Sequence, residues 1–220
     1  MARGRYYQKA IAFFSLITSR KKIRGKGNIF SRSKSAILWQ CNIVIKGGGN
    51  RLKISPLVML KKVTIFVQGD NNLIEIGDHV RMTGGELWVE DNGSSIVIGN
   101  NTTIVSAHLA STEGKSILIG HDCMFSSGIE VRTGDSHSIL DLRTGDRINY
   151  AKDTVIGNHV WVAANVSILK GSNVGDGSIV GAKSLVTAGI YPKEVIIAGT
   201  PAGIVKKNVT WIREKYQENR

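Results

Sequence analysis

The chain has 220 residues, a net charge of +12, 25 glycines, three prolines and only two cysteines. That is enough chain to bury a substantial core but too few cysteines for a disulfide-stapled secreted domain. The glycine-rich, aromatic-poor balance suits many short turns and argues against a helical bundle. The charge is also confined to one end. Residues 1–62 hold fifteen Lys and Arg and no acid, whereas the remainder holds fourteen basic against seventeen acidic residues. An anionic partner is therefore expected at the N-terminal end.

The first predicted element is Tyr6 to Ile17 (YYQKAIAFFSLI), apolar on most sides and flanked by Arg3, Arg5, Lys9, Arg20, Lys21, Lys22 and Arg24. It is too short to cross a bilayer, and no small-residue cleavage site follows it. A short helix fits, lying on a membrane surface or capping a solenoid end. Residues 1–28 are accordingly set apart as a basic, partly helical segment. Cys41 and Cys123 each stand among aliphatic residues and are expected to be buried and reduced. That points to the cytoplasm, with the basic end placed to meet the inner face of the membrane.

From residue 29 the chain repeats. The segments NRLKI, NLIEI, SSIVI and KSILI end at Ile54, Ile76, Ile98 and Ile119, at spacings of 22, 22 and 21. Each follows a turn cluster whose Gly and Asn tolerate left-handed backbone. Further on the step is six: Ile156, Val162, Ile168, Val174, Val180 and Val186. Four positions after each comes a small or branched residue: Val160, Val166, Ser172, Ser178, Ser184 and Ile190. A six-residue step that turns at every repeat makes short strands on three sides of a coil. Coils stacked about 4.8 Å apart line up their Ile and Val in ladders. The prediction is an all-β solenoid, a triangular prism over 29–205 whose longer coils bulge at one corner. A helical tail is expected over 206–220, with Trp211 capping or packing on the last coil.

Five histidines separate by position. His79 and His159 share one slot of the hexad, His121 sits one earlier, and His108 lies inside a longer coil. All four read as structurally bland. His137 differs. The hexads run cleanly through Val131, stop at His137 and resume at Ile156. A loop is therefore predicted at about 138–153, with an imidazole at its mouth. No other histidine is near enough in sequence to build a three-histidine zinc site, and no metal is expected. Trp161, in VWVAAN, falls at an outward position where a large aromatic has no core reason to exist. The basic end carries no recognised nucleic-acid reading motif, so no nucleic acid is expected.

The stretches GDSHSILDLRTGDRIN, TVIGNHVWVAANVSILKGSNVGDGSIVGAKSLVTAGIYP and AGTPAG resemble the hexapeptide-repeat acetyltransferases of the galactoside, maltose and xenobiotic branch. GDSHSILD and TPAGIVKKNVTW look most like the enzymes that O-acetylate capsular or lipopolysaccharide sugars, the polysialic acid type above all. The resemblance implies a left-handed parallel β-helix, acetyl-CoA as cosubstrate, and a homotrimer with active sites between subunits. It also implies acetyl transfer to a hydroxyl of a surface polysaccharide, to which the basic end adds an anionic glycan as acceptor. His137 becomes the general base of a ternary complex, because a sugar hydroxyl must lose its proton as it attacks the thioester.

An acceptor on the other ring nitrogen would hold the tautomer. Asp135, carried forward for this role, Asp141 and Glu130 are the carboxylates at hand, and the sequence does not choose among them. By the same resemblance Trp161 packs along the pantetheine arm or the acceptor. Ala163 and Ala164 let backbone approach the thioester, where an N–H stabilises the oxyanion; several relatives carry Ser at the Ala164 position. The CoA tail is expected along Gly181, Ala182, Lys183 and Thr187, with Pro201 over the adenine and Lys206 and Lys207 meeting the phosphates. Rival readings are transfer to a small acceptor, such as an antibiotic or nucleotide-linked sugar, and a non-enzymatic scaffold. A scaffold would need neither His137 nor the PAG tail.

Overall fold

The computed structural model describes residues 18–215. The helix predicted over Tyr6 to Ile17 lies outside them. Within the described residues, strands stack into three sheets of eight, eight and nine members that form the sides of a prism. Face A begins with Arg20–Arg24 and ends with Leu185–Val186, and face B runs from Ile29–Arg32 to Gly189–Tyr191. Face C runs from Ile37–Trp39 to the hairpin Val195–Gly199 and Ala202–Lys207, whose last strand is antiparallel. Because Arg20–Arg24 already pairs with Asn42–Lys46, the coil pattern starts ahead of the expected boundary at residue 29.

The core is the set of predicted ladders. On face A, Ile43, Ile65, Leu87, Leu109, Val131, Ile168 and Val186 follow one another in register. On face C, Leu60, Met82, Ile104, Phe125, Val162, Val180 and Ile197 do the same. All of these are buried, and each contributes about 1.5–3 kcal/mol by leaving water. The cysteines behave as small apolar residues. Both are free and buried, and burial pushes the Cys123 thiol up to about 11, which keeps it protonated and unreactive.

Polar ladders hold the corners. Where face A turns into face B, buried Asn50 and Asn72 donate to the Gly69 and Asp91 carbonyls, and their Oδ1 atoms accept the Asn72 and Ser94 N–H groups. The residues that stretch a coil to 22 sit at this corner, and the pairing step is down to 18 by Asn158 and Asp176. At the B–C corner, Asn100, His121, Asn158 and Asp176 each accept the backbone N–H of a residue on the preceding coil, at 2.7–3.0 Å. His121 is thus a member of this ladder, its Nδ1 an acceptor. The bland reading of His121 missed that role.

One position departs from its ladder, and one expectation is corrected. Ile190 is 85% exposed. It pairs with outward-facing Asn173, one residue away from buried Ser172, which faces Gly189. The described part of the tail is not helical: Ala202–Lys207 is a strand, and residues 208–215 form an extended strap. An extended chain lets Trp211 and Arg213 reach the corners of separate coils, which a compact helix of that length would not do. Trp211 packs on His159, further back than the last coil.

Candidate active site

The predicted loop leaves the prism at the A–B corner, between Ile129–Arg132 on face A and Thr154–Ile156 on face B. Its outer part is a small hairpin closed by a Leu140–Arg147 bridge and by the Ile148 N–H donating to the Ile139 carbonyl. Asp141 caps the hairpin turn, accepting the Arg143 and Thr144 N–H groups, which hold its carboxyl below the usual range.

Three attachments fix the base of this loop. Arg147 grips Glu113 of the preceding coil with two hydrogen bonds of 2.7 and 2.8 Å. Asn149 accepts from the Ile139 N–H and donates both to Asp135 and to the His137 carbonyl, each at 2.8 Å. Lys170 of the following coil pairs with Asp135. Burial pushes the Asp135 carboxyl up, but hydrogen bonds from Lys170 and Asn149 outweigh it and leave the group below its ordinary range. The Arg147 hydrogen bond does the same for Glu113.

Both carboxylates have depressed folded-state values, so their attachments are intact above the ordinary carboxylate range and fail as pH falls through the depressed values. Acidification below about pH 4 is therefore expected to accelerate proteolysis of residues 139–148 before the prism unfolds. A loop equally resistant at neutral and acid pH would show that these anchors do not matter.

His137 is exposed at the loop mouth, and no hydrogen bond or ion pair reaches its ring among the described residues. Asp135 is therefore not its partner here. It orients the histidine backbone through Asn149. Glu130 is paired with Arg132, and Asp141 is committed to its turn.

Trp161 stands on face C, just past the B–C corner, so the whole of face B separates it from the His137 loop. The residue is 37% exposed, and its indole is tilted against Trp211 at 6.3 Å. Ala163 and Ala164 follow at the C–A corner, with Gly181, Ala182 and Lys183 one coil on. The Ala163 N–H donates to the Val180 carbonyl, which removes it as an oxyanion donor. The Ala164 N–H takes part in no hydrogen bond among the described residues. At Gly181 a Cβ would come within 2.9 Å of Ala198, so the strip is as narrow as the residues suggested.

Thr187 does not belong to that strip. It lies past Leu185–Val186 at the A–B corner, where its carbonyl accepts from Ser172 and Tyr191. Pro201 caps the terminal hairpin, and Lys206 and Lys207 lie exposed on its last strand. Sequence reasoning missed His159, which holds Trp211 beside Trp161. Its signal was weak, because its partners come from distant parts of the chain. His108, read as bland, pairs with Glu86 on the outer side of face A.

This arrangement defines a hexapeptide-repeat transferase. Residues 153–188 match the bacterial transferase hexapeptide (six repeats) model. The chain is 38% identical over 112 residues to a polysialic acid O-acetyltransferase of Escherichia coli O1:K1 / APEC, covering 51% of this chain and 36% of that protein. It is 37% identical over 115 residues to a polysialic acid O-acetyltransferase of Neisseria meningitidis, covering 52% and 54%. These alignments span only about a third to a half of the curated relatives. The structure overlays on the solved polySia-specific acetyltransferase NeuO with a TM-score of 0.84 and 34% identity over 92% of both chains. The chain belongs to the hexapeptide-repeat acetyltransferases, and its likeness to those of the polysialic acid type extends through the first coils as well as the repeat core.

Proposed function

We propose that the protein is an acetyl-CoA-dependent O-acetyltransferase that modifies a sugar hydroxyl of an anionic polysaccharide, working as a homotrimer. The observation that carries this reading is His137, held bare to solvent at the mouth of a loop anchored on both neighbouring coils. The likeness to a polySia-specific acetyltransferase over 92% of both chains supports the substrate class. So do the first coils, where Arg20, Lys22, Arg24, Lys46, Arg51 and Lys53 are exposed. A small neutral acceptor would gain nothing from that charge.

In the reaction, His137 takes the hydroxyl proton as the sugar oxygen attacks the thioester carbonyl. The carbonyl oxygen becomes an oxyanion, for which the Ala164 N–H is the available backbone donor. Collapse of the intermediate expels the CoA thiolate, which takes the proton held by the His137 imidazolium, restoring the neutral base and leaving the acetyl ester on the sugar. Trp161 flanks the pantetheine arm. Lys183, Lys206 and Lys207 serve the phosphates, with Pro201 over the adenine. The two buried thiols suit a reducing cytoplasm, and the basic first coils suit its membrane face.

Since His137 and Trp161 occupy different corners of one prism, each site is completed by the neighbouring subunit. The loop tip fits this role: Ile139, Leu140, Leu142, Ile148 and Tyr150 are more than half exposed, with Leu142 at 102%, an apolar group that a lone monomer rarely leaves in water.

Incubating polysialic acid with acetyl-CoA and the protein is expected to add acetyl groups detectable by mass spectrometry. His137→Ala and Trp161→Ala are each expected to be inactive. Trimers refolded from an equal mixture of the two variants should regain activity at about a quarter of their interfaces, where intact residues meet. A mixture as inactive as either variant would place both residues in one subunit's site, and an unmodified glycan would refute the assignment.

A further inference from the structure

His159 lies between two groups that can only accept hydrogen bonds. Its Nδ1 is 2.8 Å from an Asp122 carboxylate oxygen, and its Nε2 is 2.9 Å from the Trp211 carbonyl. A peptide carbonyl never donates. Asp122 is held ionised: although burial pushes its carboxyl up, His159 and Arg213 bring it below the ordinary range. Arg213 reaches the second Asp122 oxygen twice, at 2.9 and 3.0 Å. Both contacts are hydrogen bonds only when each imidazole nitrogen carries a proton. A neutral ring would set a lone pair against a carbonyl oxygen.

The ring closes a reciprocal lock on the tail. Trp211 Nε1 donates to the His159 carbonyl at 2.8 Å, and the two rings stack at 4.2 Å and 7°. Arg213 continues the strap onto earlier coils, donating to Thr103 and to the Cys123 carbonyl. On the other side His159 borders a cleft of about 640 Å³ shared with Asp176, Glu194, Asn208 and Val209. The charged groups around the ring are thus Asp122, Asp176 and Glu194, with Arg213 paired to Asp122. His121 meets His159 only through its backbone carbonyl.

We propose that His159 is a positioning residue: as an imidazolium it latches residues 208–213 to the B–C corner, and the latched Trp211 sets the orientation of the Trp161 ring for acetyl-CoA. Loss of one ring proton opens the latch and frees Trp161. This rests on the reading that Trp161 lines the acetyl-CoA site.

Nitrogen-15 spectra of the histidine rings in the full chain, from about pH 6 to pH 9, should show a doubly protonated His159 in the latched state. Hydrogen exchange of 208–213, corrected for intrinsic rates, should accelerate as that ring loses its proton. Acetyl-CoA affinity by calorimetry should fall at least about fivefold over the same window. His159→Gln, which cannot become a cation, should bind weakly throughout and lack this step. Trp211→Phe keeps the stack and the carbonyl but loses the Nε1 donor, so it should shift the step while retaining it. A neutral ring with the strap still protected overturns the proposal, as does an unchanged step in His159→Gln. Failure to bind acetyl-CoA at every pH, with the latch intact in the spectra, instead overturns the underlying reading of Trp161.

Discussion

His137→Ala is expected to lower acetyl transfer to the glycan about 10²- to 10⁴-fold, the range typical of a lost general base. The melting temperature and the affinity for acetyl-CoA should stay unchanged. The separation of effects follows from the geometry. The ring is exposed and unpaired among the described residues, so truncation opens no cavity and orphans no buried partner. What holds the segment is the His137 carbonyl, bound by Asn149, and alanine keeps it. Retention of activity within about threefold of the parent would remove His137 from the mechanism and leave the hydroxyl without a base.

The second large effect is on stability, at Gly99. Its backbone dihedrals are ordinary, so the constraint is space. A Cβ there would lie 2.5 Å from the Gly120 carbonyl carbon, 2.6 Å from its oxygen and 2.7 Å from the His121 nitrogen. These are backbone atoms at the corner of the next coil, held by hydrogen bonds from Gly120 to the Ile156 carbonyl and from His121 to Asn158, and they cannot swing aside as a side chain could. Gly99→Ala must push two coils apart, at a cost of about 3 kcal/mol or more, or roughly 6–12 °C in melting temperature for a chain of this size. Gly203→Ala is the control, since nothing lies within 4 Å of the added atom; its effect should stay within about 0.5 kcal/mol. Equal melting temperatures for the two variants would mean that the coils are far more compliant than their spacing suggests.

The Gly99 environment also shows why so much of the prism was readable. Each coil repeats one small problem: an aliphatic residue inward, a glycine where the next coil presses close, a polar side chain to catch the neighbouring N–H. Ile98, Gly99 and Asn100 state that problem in three consecutive letters, as do Ile156, Gly157 and Asn158. Where the solution is local and periodic, the period reveals it. His137 was visible for the converse reason, because the rhythm fails around it and nothing inward explains an imidazole.

Distance along the chain limited the rest. His159 looked like a corner residue because its partners lie 37 and 52 positions away, beyond the reach of any repeat. Thr187 was grouped with Gly181 by closeness in sequence, yet a six-residue step carries it around a whole face of the prism. Asp135 sits two residues from His137, but Lys170 of the following coil and Asn149 at the returning end of the loop claim it first. The Ala163 and Ala164 amides look alike in sequence, and only the stacking of coils engages one of them.

The amino-acid order alone thus determined the solenoid, its inward ladders, the interruption at His137 and the concentration of positive charge in the first coils, since each is a matter of period or composition. The tertiary structure decided which corner each functional group occupies, which amide lacks a partner among the described residues, what anchors the loop, and that the described tail is a strap passing beside Trp161. Those outcomes depend on how successive coils stack and on where an aperiodic tail finds its partners, and a six-residue pattern encodes neither.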